Sequence, residues 1–324
     1  MNRTLPKILA ALLLTSMAAT HVAGHAADYP ERPVEIVVPY AAGGGTDMVG
    51  RTFALVLSKY LGGQSVVVNN KPGAGGAIGM TEALNAKPDG YKLGLVTVEM
   101  TILPHMGMAK FQASEFTPIA RLNADPAAIT VRADAPWNTI EEFLAHARAN
   151  PQRVQMGEGG PAGNIWNIAA VALEEKAKVS FNHVPFAGAG PAVVALLGGH
   201  LDAVAVSPGE VSQHVIAGKL KTLAVMADKR WPGAFKNVPT LKERGMDVVV
   251  EAWRGIAGPK NMPPAIVAQL QVAAQKAAND PVFVNALEKG NMGWSYADAK
   301  EFGQTINQAD KFFAKLVPTL GIKN

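Results

Sequence analysis

Residues 34–47 read VEIVVPYAAGGGTD and decide the fold class. The first five are apolar apart from Glu35, which predicts a buried strand. The glycines predict a tight turn, and Thr46 or Asp47 can cap the helix whose apolar residues follow at spacings of three and four. Strand, glycine turn and helix in this order are typical of the βαβ units of an α/β protein.

The same pattern recurs along the chain. A strand at 65–69 leads into the glycine loop NKPGAGG at 70–76, and a third strand is predicted at 92–98. A second series of strands and helices begins after residue 125, and from Pro263 onward the apolar spacing predicts only helices. We therefore predict two α/β lobes, each a parallel or mixed sheet flanked by helices.

The chain of 324 residues is longer than one core usually spans, which favours two domains. We predict a first domain of residues 28–125 plus 250–324 and a second of residues 126–249. Two crossover strands, near 120–133 and 220–254, would join them. With no cysteine, the chain has no disulfide, thiolate metal site or cysteine nucleophile.

Residues 1–27 are predicted to be a cleaved secretory signal peptide. Arg3 and Lys7 precede an apolar run at 8–19 and small residues suited to cleavage. The run is shorter than the ~20 residues of a spanning helix, although a buried or anchoring helix is the alternative. Without these two cations the formal charge of +4 falls to +2, and no basic cluster indicates a nucleic-acid partner.

Three motifs resemble catalytic or nucleotide sites but lack a residue that the chemistry needs. Residues 45–52 resemble a phosphate loop with arginine in place of lysine, and residues 73–79 are spaced GxGxxxG instead of GxGxxG. Ser207 resembles the serine of a nucleophile elbow, but Pro208 has no N–H for an oxyanion hole. The histidines show no metal-ligand spacing, so neither a metal nor a cofactor is predicted.

Two glycine loops, residues 41–45 and 72–76, each lie between the carboxyl end of a strand and the start of a helix. Helix N-termini offer unpaired N–H groups and partial positive charge, so two such loops can form an anion cradle without lysine or arginine. A small carboxylate is the predicted ligand. The alternative is that these glycines only form tight turns.

The chain resembles the tripartite tricarboxylate transporter substrate-binding proteins, also called Bug (Bordetella uptake gene) receptors. Similar motifs are YPxRPxxIVVPYxAGGxxD at 29–47, NKPGAGG at 70–76, KPDGY at 87–91 and FTPIA at 116–120. The set is completed by HVPFxG at 183–188 with PA at 191–192, LLGGHLD at 196–202, AGKL at 217–220, VPT at 238–240 and WxGxxxP at 253–259. The resemblance covers nearly the whole mature chain in order.

The resemblance implies a periplasmic receptor with the type II periplasmic-binding-protein fold, a Venus flytrap that traps a small carboxylate between its lobes and delivers it to a membrane permease. It implies no catalysis and no cofactor. Ligand-binding residues implied by position are Tyr40, Ala41, Gly43, Gly44 and Asp47 in the first loop, and Asn70, Gly73, Ala74 and Gly76 in the second. Together they would hold one carboxylate.

The chain departs from the family pattern where the second lobe meets the ligand. Asn164 replaces the usual Ser or Thr, Asn167 falls at the usual His, and Val206 and Ser207 stand where Asp-Asn is frequent. Glu99, at the end of the third strand, is a hypothetical acceptor for a ligand ammonium or hydroxyl group, and it argues against a tricarboxylate. The alternative for Glu99 is a solvated loop residue.

The favoured function is solute capture by a monomer that works with permease subunits. An exported hydrolase or isomerase with Glu99 or Asp47 as base is the alternative from another class, but no nucleophile–base pair is visible. A subunit that presents its ligand to a membrane signalling protein is a third possibility, which the sequence does not separate from transport.

Overall fold

The computed structural model of the protein describes residues 29–319, so the predicted signal peptide lies outside the described residues. One sheet has six strands in the order β11-β4-β10-β3-β1-β2. They are β1 (Val34–Val38), β2 (Val66–Asn70), β3 (Lys92–Thr97), β4 (Thr117–Pro126), β10 (Glu251–Gly258) and β11 (Trp294–Ala297). We call this sheet with its helices the first lobe.

The other sheet has five strands in the order β7-β6-β8-β5-β9. They are β5 (Ala128–Arg132), β6 (Gln155–Glu158), β7 (Asn182–Pro185), β8 (Ala203–Val206) and β9 (Leu220–Val225). We call this sheet with its helices the second lobe. Both sheets are mixed, because β4, β10 and β11 pair antiparallel in one and β5 pairs antiparallel with both neighbours in the other.

Helices connect the strands and cover the sheets. The first lobe carries α1 (Gly45–Tyr60), α2 (Ala77–Leu84), α7 (Pro264–Ala278), α8 (Pro281–Lys289) and α9 (Ala299–Leu316). The second lobe carries α3 (Ile140–Ala149), α4 (Ile165–Ala177), α5 (Ala189–Leu197) and α6 (Pro208–Ile216). Within residues 29–319, no helix is both long enough and apolar enough to cross a membrane.

The strand β1 shows why the opening stretch folds as it does. Four of its five side chains are buried, because parallel strands are covered by helices on both faces. The helix α1 buries Val49, Phe53, Val56 and Leu57 against the first sheet, at the spacing of one helical face. The turn between them sets the start of α1 at the carboxyl end of β1, which is where ligands bind in such sheets.

The chain passes between the lobes twice. The strand β4 of the first sheet runs directly into β5 of the second, and the segment after β9 returns to β10. The predicted crossover strands are therefore present, and the fold class is confirmed. The predicted domain boundaries fall in these connections, and division into domains that move separately stays a prediction.

A third link between the lobes does not depend on chain connectivity. Asn291 donates from Nδ2 to Ser212 Oγ at 2.7 Å, and its Oδ1 accepts from the backbone N–H of Ala234 at 2.9 Å. Its backbone oxygen accepts from Trp231 Nε1 at 2.9 Å. The neighbouring Gly293 N–H donates to Asp125 on β4 at 2.7 Å, so this corner ties a crossover strand to the second lobe.

The prediction that only helices follow Pro263 is wrong. The strand β11 lies at the edge of the first sheet and pairs with β4 at two positions, Trp294 with Asn123 and Ala297 with Arg121. So short an edge strand is specified by its partner and not by an apolar period of its own. The sequence also did not predict α8 as a separate element.

Candidate functional site

A cavity of about 30 Å³ lies between the two lobes. The first lobe contributes the loop after β1, the start of α1, and Thr97 and Glu99 at the end of β3. The second lobe contributes Gly159 after β6, the starts of α4 and α5, and Glu210 on α6, while residues 252–254 of β10 complete the wall. The predicted residues Tyr40, Ala41, Gly44 and Glu99 therefore lie together at one site.

Arg254 is the main charged group that the sequence analysis missed. Its side chain is 3% exposed, and Nη1 lies 2.6 Å from Asp125 Oδ2 while Nη2 lies 3.4 Å from Glu210 Oε1. Nε donates to Thr46 Oγ1 at 2.9 Å. Burial opposes the charge, but the two carboxylates hold the pKa of Arg254 above its ordinary value. The predicted cradle without lysine or arginine is thus corrected, because a paired guanidinium forms part of its wall.

Glu99 is buried, with 5% of its surface exposed, so the interpretation as a solvated loop residue is wrong. Its carboxylate accepts a bond from Thr97 Oγ1 and a long one, 3.4 Å, from the backbone N–H of Ile165 across the cleft. Burial, followed by the nearby Glu99 carboxylate, raises the pKa of Tyr40 well above its ordinary value. Tyr40 therefore stays a neutral phenol beside this carboxylate.

Asp47 and Asn70 brace the first glycine loop, and neither is among the residues that line the cavity. Asp47 Oδ2 accepts from the backbone N–H of Gly43 and from Arg51 Nε, each at 3.0 Å. Asn70 Nδ2 donates to Asp47 Oδ1 at 2.9 Å and to the carbonyl oxygen of Tyr40 at 3.0 Å. Burial favours the neutral carboxyl, but these donors lower the pKa of Asp47. The network fixes the loop that presents Gly44.

The second glycine loop lines a separate cavity of about 280 Å³ next to the first. Gly73, Ala74 and Gly76 face the chain at 160–161 and 185–187 of the second lobe there. Tyr40 lines both cavities, and its hydroxyl lies 3.2 Å from the carbonyl oxygen of Gly75 and 3.2 Å from Thr97 Oγ1. The two loops thus meet on either side of one ring, and a single carboxylate shared between them stays a prediction.

Asn164 and Asn167 support the second lobe from inside and are not among the cavity-lining residues. Asn164 is the N-cap of α4, and its Oδ1 accepts two backbone N–H bonds of the first turn. Asn167 Oδ1 accepts from the backbone N–H of Gly163 at 2.6 Å, and its Nδ2 donates to Glu158 Oε1 at 2.9 Å. Both residues hold the loop that presents Gly159 to the cavity.

His183 lies behind this loop. Its Nδ1 is bonded to Glu158, and its Nε2 lies 3.1 Å from Glu174 Oε2. Although burial opposes protonation, the two glutamates raise the pKa of His183 to about 10. The imidazolium therefore neutralises the buried carboxylate of Glu158, the residue before the cavity-lining Gly159.

Val206 and Ser207 end β8 and begin α6, are fully buried, and are not among the cavity-lining residues. Glu210, one turn later, reaches the cavity in their place, and its carboxylate accepts from the backbone N–H of Ser207 at 2.9 Å. Burial raises the pKa of Glu210, and Arg254 opposes that rise. A role for Val206 or Ser207 in ligand binding stays a prediction.

Residues missed from the sequence include Thr46, Trp166, Glu210, Arg254 and the start of α5 at 188–191. One signal was available, since a lone arginine within the apolar run 252–258 is expensive to bury without a partner. Its partners Asp125 and Glu210 lie far away in sequence, so no spacing reveals them.

Comparison with known proteins agrees with this architecture. Residues 49–322 match the family model of the tripartite tricarboxylate transporter family receptors. A TctC solute binding protein from Polaromonas, solved with no ligand, is 49% identical over 90% of this chain and 99% of its own, with a TM-score of 0.68.

Two further solved structures are similar along most of the chain. The periplasmic binding protein BugD is 31% identical over 91% of this chain and 99% of its own, with a TM-score of 0.85. MatC from Rhodopseudomonas palustris, solved with bound malate, is 27% identical over 89% of this chain and 100% of its own, with a TM-score of 0.81. The predicted resemblance is confirmed: the chain belongs to the tripartite tricarboxylate transporter receptor family, whose members are periplasmic solute-binding proteins and not enzymes.

Proposed function

We propose that this chain is an exported receptor that captures a small carboxylate between its lobes and delivers it to a permease of the tripartite tricarboxylate type. The observation that carries the proposal is the cavity itself. Glycine loops and helix N-termini from both lobes converge on it at the carboxyl ends of the strands. The malate bound by MatC supports the same ligand class for this chain.

Capture requires the lobes to separate. The cavity is narrow, at about 30 Å³, and residues of both lobes form its walls, so separation of the lobes would open a path for the ligand. The TM-score of 0.68 against the ligand-free Polaromonas protein, despite 49% identity, compares with 0.81 against malate-bound MatC at 27% identity. This contrast supports lobes that change their relative position. A ligand that touches both lobes stabilises the closed arrangement.

Export by cleavage of residues 1–27 and a monomeric state complete the proposal. The chain from residue 28, unfolded and refolded to strip carried ligand, is screened by thermal shift against dicarboxylates, tricarboxylates, amino acids and aromatic acids. A ligand at ~100 times its Kd adds about 2.7 kcal/mol. Stabilisation by one class of carboxylate supports the proposed receptor function. If no carboxylate stabilises the protein, that function is excluded. Size-exclusion chromatography of the same sample tests the monomer.

A further inference from the structure

The helix N-termini that border the cavity differ in how their backbone N–H groups are satisfied. At α4, the side chain of Asn164 accepts two bonds from the first turn, and Glu99 accepts a third from Ile165 at 3.4 Å. At α6, Glu210 accepts the backbone N–H bond of Ser207 at 2.9 Å. The protein's own side chains therefore already serve these two helices.

The helices α1 and α5 begin differently. Their N-caps are Gly44 and Gly188, which have no side chain that could accept a bond. Within the described part of the chain, no hydrogen-bond acceptor is assigned to the backbone N–H groups at 45–46 or 189–190. Such N–H groups, together with the positive end of each helix dipole, favour an anion from outside the protein.

These two helix starts lie next to each other in the wall of the cavity. A Cβ atom added at Gly44 would lie 3.9 Å from the backbone nitrogen of Gly190, and one added at Gly190 would lie 3.7 Å from the backbone nitrogen of Gly44. Gly45 and Ala189, the first residues of the two helices, are buried and line the cavity. An anion placed here would receive N–H groups from both lobes at once.

Glu99, which lines the same cavity, favours a cation instead of an anion. Its bonding partners are neutral groups, namely the Thr97 hydroxyl, the Ile165 N–H and the Tyr40 phenol. Among residues 29–319, no lysine, arginine or histidine forms an ion pair with it. Arg254 attracts Glu99 electrostatically, but its guanidinium is paired with Asp125 and Glu210. A carboxylate buried without a cation in direct contact is costly, and a ligand cation that contacts it lowers that cost.

We propose that the ligand is an amino acid or a similar small zwitterion. This inference rests on the proposed function, because it assigns the ligand class of the same cavity. The ligand carboxylate binds in the cavity beside the N-termini of α1 and α5, and its ammonium group donates to Glu99. A dicarboxylate would set a second anion beside Glu99, where like charges in a poorly solvated site repel.

The first test compares matched ligands on the unchanged protein. Isothermal titration calorimetry on the chain from residue 28 measures each hit amino acid against the acid in which hydrogen replaces the amino group. The expected result is at least about tenfold tighter binding of the amino acid. Equal or tighter binding of the des-amino acid, or of a dicarboxylate, overturns the inference but leaves a carboxylate receptor in place. If no carboxylate of any kind binds, the proposed function fails instead.

Two variants separate the two ends of the ligand. Glu99→Gln keeps the side-chain shape and should reduce the amino-acid preference by about tenfold or more while the des-amino acid binds no worse. Ala189→Pro removes one N–H at a helix position where proline is tolerated, and it should weaken both ligands to a similar extent. Circular dichroism confirms that each variant is folded. An unchanged preference in folded Glu99→Gln overturns the inference.

Discussion

Replacing Arg254 with methionine should destabilise the protein by about 3–5 kcal/mol, the cost of removing one partner from a buried ion pair. The guanidinium bridges Asp125, which is fully buried, and Glu210, whose side chain is 5% exposed. Methionine fills part of the volume but leaves both carboxylates without a cation. Asp125 keeps the N–H bond from Gly293 at 2.7 Å, so the fold should survive the loss.

The penalty should also depend on pH in a defined direction. Burial already raises the pKa of Glu210 above its ordinary value, and without Arg254 the main opposing attraction is lost, so this folded-state pKa rises further above the unfolded value. The folded variant then binds protons more readily than the unfolded chain, so falling pH favours the folded state. The difference in unfolding free energy between the wild type and Arg254→Met should therefore be largest near pH 8 and shrink toward pH 5.

Urea unfolding followed by circular dichroism at both pH values measures this difference. Arg121→Met is the matched control, because Arg121 lies on β4 of the same sheet and bonds to a carbonyl and a hydroxyl rather than to a carboxylate. Adding Asp125→Asn to Arg254→Met should restore part of the stability, since it removes one of the uncompensated charges. A penalty below about 1 kcal/mol, or one equal at pH 5 and pH 8, would refute this account of Arg254.

Three further predictions concern the frame around the site. Phe53→Ala, in a fully buried position of α1, should cost about 3–5 kcal/mol in chemical unfolding; a cost below 1 kcal/mol would contradict its place in the core. In Gly79→Ala, the new methyl would lie 2.8 Å from backbone atoms of Lys71 and Pro39. The free energy of unfolding should therefore fall by about 1–3 kcal/mol in urea unfolding. An unchanged free energy would mean that the backbone moves aside at little cost. The pKa of His183 is raised to about 10, so its contribution to stability is complete below about pH 6.5. As pH rises toward 10, this contribution is lost by up to about 1.4 kcal/mol per pH unit. His183→Gln should lack this decline, and a parallel decline in the variant would refute the assignment.

The sequence predicts the elements whose own residues determine them. The strand β1 was predicted because its residues are almost continuously apolar, and the helix α1 because apolar residues with a period of 3.6 bury one face. By contrast, β11 has only four residues, and Trp294 at its start is 45% exposed. Its conformation depends on the ladder offered by β4, which no local pattern encodes.

The site divides in the same way. Gly44 was predicted because a glycine turn after a strand is a local feature with a direct physical meaning, whereas Tyr40 was implied by the family resemblance. The partners of Arg254 lie 129 and 44 residues away in the sequence. Contacts at that range arise only when the sheets are assembled, so pairing, and with it the charge balance of the cavity, could not be predicted.

The corner at Asn291 has a consequence for how the cleft opens. Hydrogen bonds at 2.7–2.9 Å hold this corner to the second lobe, and two crossover connections run through the same interface, so one end of the cleft is pinned. When a lobe rotates about a hinge at this end, the displacement is largest at the opposite end of the cleft. We therefore expect the second glycine loop, where a Cβ added at Gly75 would lie 2.9 Å from Pro161 Cγ, to form the entrance.

Asn291 would then control affinity without touching the ligand. Apparent affinity scales with the fraction of molecules already in the binding-competent arrangement. Asn291→Ala removes the side-chain hydrogen bonds that hold this end of the cleft and so changes the fraction of molecules in the binding-competent arrangement. Calorimetry should find that Kd changes by the same factor for every ligand, so that ligand preference is unaltered. A change confined to one ligand would place Asn291 in the binding surface instead of at the hinge.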